Sequence, residues 1–486
     1  MSERLLHLLT YHSDEPMIFS TGLFLMVFLC FTFVYMLLQR TLTLRLLFVT
    51  AFSYYFYYKS SGLYFGLLAV VTLSDYLIAR AIAVRKSRWL VALSLLIDLG
   101  LLGYFKYTNF FAGMWAQMVG SNFQPWDIFL PVGISFFTFQ SMSYVIDVYR
   151  GDLKPLPSLL DYAFYVSFFP QLVAGPIVRA RDFAPQIRKP LEITGQMFAQ
   201  GCYLIAIGLF KKAVISDYIS LNFVDRIFDN PSLYSGVENL LGVYGYTLQI
   251  YCDFSGYSDM AIGIALLLGF RFPMNFNAPY RSESITDFWR RWHISLSSWI
   301  RDYIYISLGG NRKGKVRQYV NLIITMLLGG LWHGASLNFV VWGGMHGVAL
   351  ALHKWLREHV FRHDKHYRST GLRWFFSVLL TFHFVAFCWI FFRNTTFEAS
   401  WTMLTQIAIN FHPEFFQQVV TGYWVVFAMI LFGYVTHFVP DAFQERCVRV
   451  LERGGVVLCA LLIAAVIYLV IQVKSSEIQP FIYFQF

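Results

Sequence analysis

The sequence predicts an all-α polytopic membrane protein. Hydrophobic residues make up 57% of its 486 residues and charged residues only 14%, whereas a soluble globular protein carries about 25% charged residues. Apolar segments long enough to cross ~30 Å of hydrocarbon recur from residue 17 to residue 473. This composition excludes a disordered chain, a coiled coil and a disulfide-rich secreted domain, and it disfavours a soluble enzyme.

The apolar segments also set the number of helices and the domain organisation. They predict about 10 to 13 helices that cross or re-enter the membrane, because several segments are short or carry Gly, Pro and polar residues. Residues 17–486 form one predicted membrane domain, and residues 1–16 form an N-terminal segment before the first span. The neighbouring segments 236–252 and 256–270 predict two helices with a break at Gly256.

Basic residues predict the orientation. When the first five apolar segments alternate across the membrane, three basic clusters fall on one side. That side is cytoplasmic by the positive-inside rule, so residues 1–16 are extracytoplasmic. The clusters account for much of the net charge of +10 without nucleic acid, and they comprise Arg40 with Arg45, then Arg80, Arg85, Lys86 and Arg88, then Arg150 with Lys154.

Cysteine spacing gives no sign of a metal or disulfide framework. None of the six cysteines stands in a CxxC pair, and most lie inside apolar stretches. Buried free thiols are the simplest interpretation, and we expect no metal site.

Polar residues concentrate between residues 246 and 346, where they are costly at membrane depth. Asp253 and Asp259 lie in the first polar segment, residues 249–259. These carboxylates could orient a catalytic base, or they could cap the helix break predicted at Gly256.

A second polar segment, residues 287–302, is amphipathic and rich in Trp and Arg. Such a segment favours the headgroup level or the lining of a polar cavity. Arg290, Arg291 and Arg301 could attract a phosphate-bearing donor or serve as interfacial anchors. His293 alone would be an ordinary interfacial histidine.

The third segment places His333 between Trp332 and Gly334, amid strongly apolar runs. A buried histidine is usually a satisfied core residue, but the neighbouring small residues leave space beside this imidazole. A neutral imidazole can take a proton from a hydroxyl, so His333 is the candidate general base. A fourth segment, residues 342–347, is typical of helix packing through small residues.

These motifs together resemble the membrane-bound O-acyltransferase (MBOAT) family, with most similarity to its bacterial alginate O-acetyltransferase branch. The resemblance implies a ring of helices around a central funnel, with the catalytic histidine of the WHG motif at His333 and the second histidine, of the RRWH motif, at His293. It rests on residues 131–140 (PVGISFFTFQ), 168–179 (FFPQLVAGPIVR), 249–263 (QIYCDFSGYSDMAIG), 275–312 (NFNAPYRSESITDFWRRWHISLSSWIRDYIYISLGGNR) and 329–347 (GGLWHGASLNFVVWGGMHG).

The resemblance implies a multi-pass enzyme of the bacterial inner membrane that O-acetylates an exported polysaccharide. The acyl donor is expected to be acetyl-CoA, with no bound cofactor, and an extracytoplasmic partner of the SGNH-hydrolase type is expected to finish the transfer. Asp253, Asp259 or Asn321 would orient His333. The oxyanion donors would be the Trp332 N–H, His293, or backbone N–H groups near Gly329 and Gly330.

Two alternatives remain open at this point. Within the family, the chain could transfer D-alanine to teichoic acid from a carrier-protein thioester. In a different class, buried Asp and His could relay protons in a transporter. The sequence shows none of the inverted repeats found in many transporters, which disfavours the second alternative.

Overall fold

The computed structural model describes residues 7–12, 15–361 and 369–473, and all regular structure in this part of the chain is helical. The α-helices are α1 (Gly22–Leu37), α2 (Leu42–Ser61), α3 (Phe65–Val84), α4 (Arg88–Leu102), α5 (Thr108–Met118), α6 (Ile134–Arg150), α7 (Leu159–Ser167), α8 (Phe169–Leu172), α9 (Ala180–Ile187), α10 (Gly195–Leu209), α11 (Asp217–Ile219), α12 (Asp225–Asp229), α13 (Gly236–Leu267), α14 (Ile285–Arg291), α15 (Ile294–Trp299), α16 (Lys315–His333), α17 (Leu337–Trp355), α18 (Gly371–Arg393), α19 (Phe397–Ile409), α20 (Phe416–Gly422), α21 (Trp424–Thr436) and α22 (Asp441–Val473).

Several helices contain or continue into π-helical turns, which widen the helix and are common near functional sites. In the described chain these turns are Gly103–Tyr107, Phe210–Ser216, Ser220–Val224, Ile300–Tyr305 and Leu356–Val360.

Five helical runs in the described residues are long and apolar enough to span a membrane, or six when one pair bent by 92° counts as a span. The all-α polytopic membrane class is therefore confirmed. Helices α13, α16 and α17 have sufficient length but are less apolar, so the count of about 10 to 13 crossing or re-entrant helices stays a prediction. The runs are Leu42–Val84, Arg88–Met118, Gly195–Asp229, Gly371–Arg393 and Asp441–Val473, with Pro413–Gly422 and Trp424–Thr436 as the bent pair.

Contacts divide the chain into two compact units. The first unit contains residues 1–205 and 260–273, and the second contains residues 206–259 and 274–486. The prediction of a single membrane domain stays open, as does the extracytoplasmic placement of residues 1–16. Within that segment, residues 1–6 and 13–14 lie outside the described part.

The predicted helix break at Gly256 is wrong. Helix α13 runs without interruption through this residue. A Cβ atom at Gly256 would lie 2.7 Å from the Gly208 carbonyl oxygen and 3.1 Å from the Lys212 nitrogen. This glycine therefore allows close backbone approach rather than a bend, as small residues do between membrane helices.

Helices α16 and α17 pack backbone to backbone through glycine, which confirms the packing predicted for residues 342–347. The Cα atom of Gly343 would lie 3.1 Å from a Cβ at Gly330, and that Cβ would also lie 2.2 Å from the Phe339 carbonyl oxygen. A Cβ at Gly343 would lie 2.4 Å from the Met326 carbonyl oxygen. Neither position has room for a side chain unless the two helices separate.

This contact predicts opposite outcomes for two adjacent substitutions. Gly343→Ala should lower the free energy of unfolding by about 1–3 kcal/mol, since its methyl group displaces the backbone of α16. Gly344→Ala should change it by less than about 0.5 kcal/mol, because its Cβ would meet only the end of the Leu327 side chain at 3.5 Å. Thermal unfolding of the detergent-solubilised variants measures the difference. Equal loss from both substitutions would contradict the packing.

Candidate active site

His333 is the last residue of α16 and is held among aromatic rings. It is 3% exposed, and the following residue, Gly334, has extended backbone that ends the helix. The imidazole centroid lies 5.0 Å from that of Trp332, 5.1 Å from that of Trp342 and 5.2 Å from that of Phe392. These rings, supplied by α16, α17 and α18, exclude bulk water from the imidazole.

His293 belongs to the same aromatic cluster. It lies between α14 and α15, is fully buried and adopts a left-handed backbone conformation with φ of 42°. Its ring lies 6.0 Å from the Trp332 ring and 4.6 Å from Phe254 on α13. The structure thus places His293 and His333, which were predicted from separate motifs, against the same indole ring, that of Trp332.

Asn275 fixes the orientation of His293 through side-chain and backbone contacts. Its Oδ1 accepts hydrogen bonds from the Ser295 backbone N–H at 3.2 Å and from the Ser295 hydroxyl at 2.9 Å. Its Nδ2 donates to Ser258 Oγ at 3.0 Å, and its backbone carbonyl accepts from the Ile294 N–H at 2.9 Å. The amide is therefore held with its oxygen toward His293.

This orientation determines the tautomer of His293. Its Nδ1 lies 3.1 Å from Asn275 Oδ1. An amide oxygen only accepts hydrogen bonds, so Nδ1 carries the proton, and Nε2 of the neutral ring is left as an acceptor. That Nε2 is buried and has no hydrogen-bond partner among the described residues. It is available to accept a hydrogen bond from a bound molecule.

His346 and Trp342, to which the sequence gives only a packing role, extend this cluster along α17. The indole N–H of Trp289 donates to His346 Nδ1 at 3.3 Å, so a neutral His346 carries its own proton on Nε2. The His346 and Trp342 rings are 4.8 Å apart. His346 Nε2 and Trp342 Nε1 are buried and without partners in the described chain. No signal in the sequence distinguishes these two donors, because their lack of partners depends on contacts between helices.

Asp253 and Asp259 are each paired with a lysine. The Lys212 ammonium lies 2.5 Å from Asp253 Oδ1, and both side chains are at most 3% exposed. The Lys211 ammonium lies 2.8 Å from Asp259 Oδ2. Both lysines come from the π-helical turn Phe210–Ser216. Lys212 also pairs with Asp217 at 2.8 Å. Asp253 directly precedes Phe254, so this ion network lies next to the ring that packs on His293.

Asn321 occupies a different level of α16 from His333. Its side chain donates to the carbonyl oxygens of Leu308 and Gly310, at 3.3 and 3.0 Å. Twelve residues of α-helix separate the two positions by about 18 Å. The prediction that Asn321 could orient His333 by direct contact is therefore wrong, and Asn321 instead holds the loop before α16.

Two of the three predicted arginines, Arg290 and Arg291, lie at the end of α14. Arg291 donates to Asp287 at 2.9 Å and to the Asn277 carbonyl oxygen at 3.3 Å. Arg290 is exposed. Arg291 thus braces the segment that carries Asn275, whereas Arg290 remains available at the surface.

A profile of the membrane-bound O-acyltransferase family matches residues 92–353, which include both histidines. This chain belongs to the membrane-bound O-acyltransferase family. It is an O-acyltransferase, as its family and its named relatives agree.

Individual relatives of this MBOAT protein cover most of its length. A probable alginate O-acetylase of Azotobacter vinelandii is 44% identical over 80% of this chain and 77% of its own. A peptidoglycan O-acetyltransferase of Helicobacter pylori is 38% identical over 80% and 79%. A teichoic acid D-alanyltransferase of Bacillus subtilis is 31% identical over 55% and 69%.

The geometry around Asn275 predicts a loss of activity without loss of folding. Asn275→Ala should lower kcat about 10- to 100-fold, because His293 loses the bond that fixes its tautomer and orientation. Ser258→Ala should lower kcat less than threefold, roughly, since it removes only the partner of the amide Nδ2. Acyl transfer by equal amounts of the purified variants measures both. If the two variants were equally active, Asn275 would have no positioning role.

Proposed function

We propose that this MBOAT protein transfers an acetyl group from a cytoplasmic thioester toward a hydroxyl of an exported polysaccharide, with His333 as general base. The observation that carries the proposal is the convergence of His333 and His293 on the Trp332 ring inside the protein. A water-poor aromatic enclosure favours transfer to a bound alcohol over hydrolysis.

The reaction needs one base and a place for one negative charge. His333 removes the proton from the acceptor hydroxyl as its oxygen attacks the acetyl carbonyl carbon. The carbonyl oxygen becomes an oxyanion while the new C–O bond forms. When the C–S bond breaks, the oxyanion collapses to the ester, and the thiolate takes the proton held by His333.

The protonation of the buried groups supports a revised set of oxyanion donors. Neutral His293 carries its proton on Nδ1, toward Asn275, so Nε2 accepts and does not donate. Backbone N–H groups of Gly329 and Gly330 lie inside α16 and bond to carbonyl groups one turn earlier. The Trp342 indole N–H and His346 Nε2–H are buried donors without partners in the described residues, and an acyl oxygen is the acceptor that would satisfy both.

The relatives favour acetyl over D-alanyl as the group transferred. The relatives named for alginate and peptidoglycan O-acetylation align with 80% of this chain, whereas the D-alanyltransferase of Bacillus subtilis aligns with 55%. Acetyl-CoA is the proposed donor, and alginate or a similar uronic acid polymer is the proposed acceptor. In this proposal the acetyl group passes first to a hydroxyl of an SGNH-type extracytoplasmic partner and then to a hydroxyl of the polymer.

The proposed location is the bacterial inner membrane, with multiple crossings. A bacterial enzyme that draws a thioester from the cytoplasm and modifies an exported polymer must reach both sides of that membrane. The apolar helical runs, which are long enough to span a bilayer, support this placement.

Removal of His333 is the direct test of the base. His333→Ala should reduce polysaccharide acetylation at least about 100-fold, because the acceptor hydroxyl keeps its proton during attack. His383→Ala is the matched control, since His383 is an exposed histidine that bonds the Leu379 carbonyl of its own helix at 2.7 Å. Mass spectrometry of the surface polysaccharide measures acetylation in cells with equal amounts of membrane-inserted protein. Undiminished acetylation in the His333 variant would remove the proposed base.

The donor and the alternative functions are tested with purified protein. Labelled acetyl-CoA should transfer its acetyl group, whereas transfer only from a D-alanyl carrier-protein thioester would favour teichoic acid D-alanylation. Transport of protons or a solute into proteoliposomes without any acyl donor would favour the transporter class.

The oxyanion donors predict a selective effect on turnover. Trp342→Phe should lower kcat about 10- to 100-fold with a smaller change in KM, because the indole N–H acts on charge that develops during the reaction. Trp299→Phe is the control, since Trp299 is similarly buried and packs on Tyr303 instead. Steady-state kinetics with acetyl-CoA measure both parameters. A change in KM alone, or equal losses in the two variants, would exclude Trp342 as a donor.

A further inference from the structure

The first unit contains a basic cavity of about 560 Å³ whose lining includes none of the candidate active-site residues. It lies between the start of α2 and the residues that follow α9. Four cationic side chains line it, from Arg40, Arg45, Arg188 and Lys189. None of the described lining residues is acidic.

Arg45 is the most informative of these side chains. It is only 3% exposed, and among the described residues its guanidinium makes one long hydrogen bond, from Nη1 to the Gln39 carbonyl oxygen at 3.4 Å. Its Nε is buried without a partner among the described residues. A buried guanidinium without a carboxylate among the described residues is costly, so an anion bound in the cavity would lower the free energy of the folded protein.

The other cations add charge that the protein only partly neutralises. Arg188 is paired with Asp161 at 2.8 Å. Within the described chain, Arg40 and Lys189 have no carboxylate within 4.0 Å, and both are exposed at the rim. Three positive charges therefore face one cavity without counter-ions from the described residues.

The start of α2 contributes a further attraction for anions. Leu42, the first residue of this 20-residue helix, lines the cavity, and the N-cap residue Thr41 makes no capping hydrogen bond with its side chain. Backbone N–H groups in the first helical turn are therefore left without a cap. Such groups, with the positive end of the helix dipole, favour phosphate.

We propose that this cavity binds a phosphate group. Its position suits that ligand, because α2 begins the apolar run Leu42–Val84 and so starts at the headgroup level of a membrane. The positive-inside rule places Arg40 and Arg45 on the cytoplasmic side, where anionic lipids carry phosphodiesters. The same chemistry is offered by the phosphates of coenzyme A, so the experiment separates a lipid source from a soluble one.

The test compares two double variants with matched charge changes. Arg40→Gln with Lys189→Gln removes two exposed cations of the cavity and leaves the buried Arg45 in place. Arg85→Gln with Lys86→Gln removes one arginine and one lysine from another exposed basic cluster on the same predicted side. Both doubles keep the apolar core, so both should fold.

Two probes identify the source of the phosphate. Native mass spectrometry of detergent-solubilised protein measures binding of dioleoyl phosphatidylglycerol, and calorimetry measures binding of adenosine 3′,5′-bisphosphate. The double variant of the cavity residues should bind one of these probes about tenfold more weakly than the parent protein. The affinity of the Arg85 and Lys86 double variant should change by less than about twofold. Weakened phosphatidylglycerol binding identifies a lipid site, and weakened nucleotide binding identifies a soluble phosphate. If neither probe lost affinity, or if both doubles lost it equally, the proposal would be overturned.

Discussion

The close contact of α16 with α17 is the constraint on which the candidate active site depends. Gly330 and Gly343 let two helix backbones touch, so His333 at the end of one helix meets Trp342 on the other at 5.1 Å between ring centres. Without that approach, the imidazole would lose the ring that separates it from His346. Glycine is thus required here because of the space that it leaves between two helices, and not because of any unusual backbone angle.

The chemistry of the site follows from how each imidazole uses its two nitrogens. A neutral histidine has one donor nitrogen and one acceptor nitrogen. In both His293 and His346, one ring nitrogen already makes a hydrogen bond within the protein. Asn275 Oδ1 accepts a hydrogen bond from the Nδ1–H of His293, and the Trp289 N–H donates to the lone pair on Nδ1 of His346. The remaining nitrogens are therefore of opposite kind, one acceptor and one donor. Two similar imidazole rings can in this way offer a reacting ester both a hydrogen-bond acceptor and a hydrogen-bond donor.

The membrane class, the family and the two motif histidines could be predicted from the sequence, because apolar runs and dense motifs can be recognised without knowing which residues are in contact. It could not give Asn275 its role, since that depends on a Ser295 backbone N–H twenty positions later. It also misplaced Gly256 and Asn321. A glycine among polar residues resembles a helix break until the neighbouring helix is seen, and an asparagine on the same helix as a histidine resembles a partner until the turns between them are counted.

The Lys212–Asp253 pair has a consequence for the interpretation of inactive variants. Neutralising Asp253 would remove one of the two carboxylates that pair with the buried Lys212 ammonium, leaving Asp217 at 2.8 Å. It would also disturb the helix next to Phe254, which packs on His293. A loss of function in such a protein can arise from faulty assembly of the helices, and does not by itself show that the aspartate exchanges a proton with substrate. A screen that scores only product would therefore mistake a structural counter-ion for an acid or base, unless the quantity of correctly inserted protein is determined alongside.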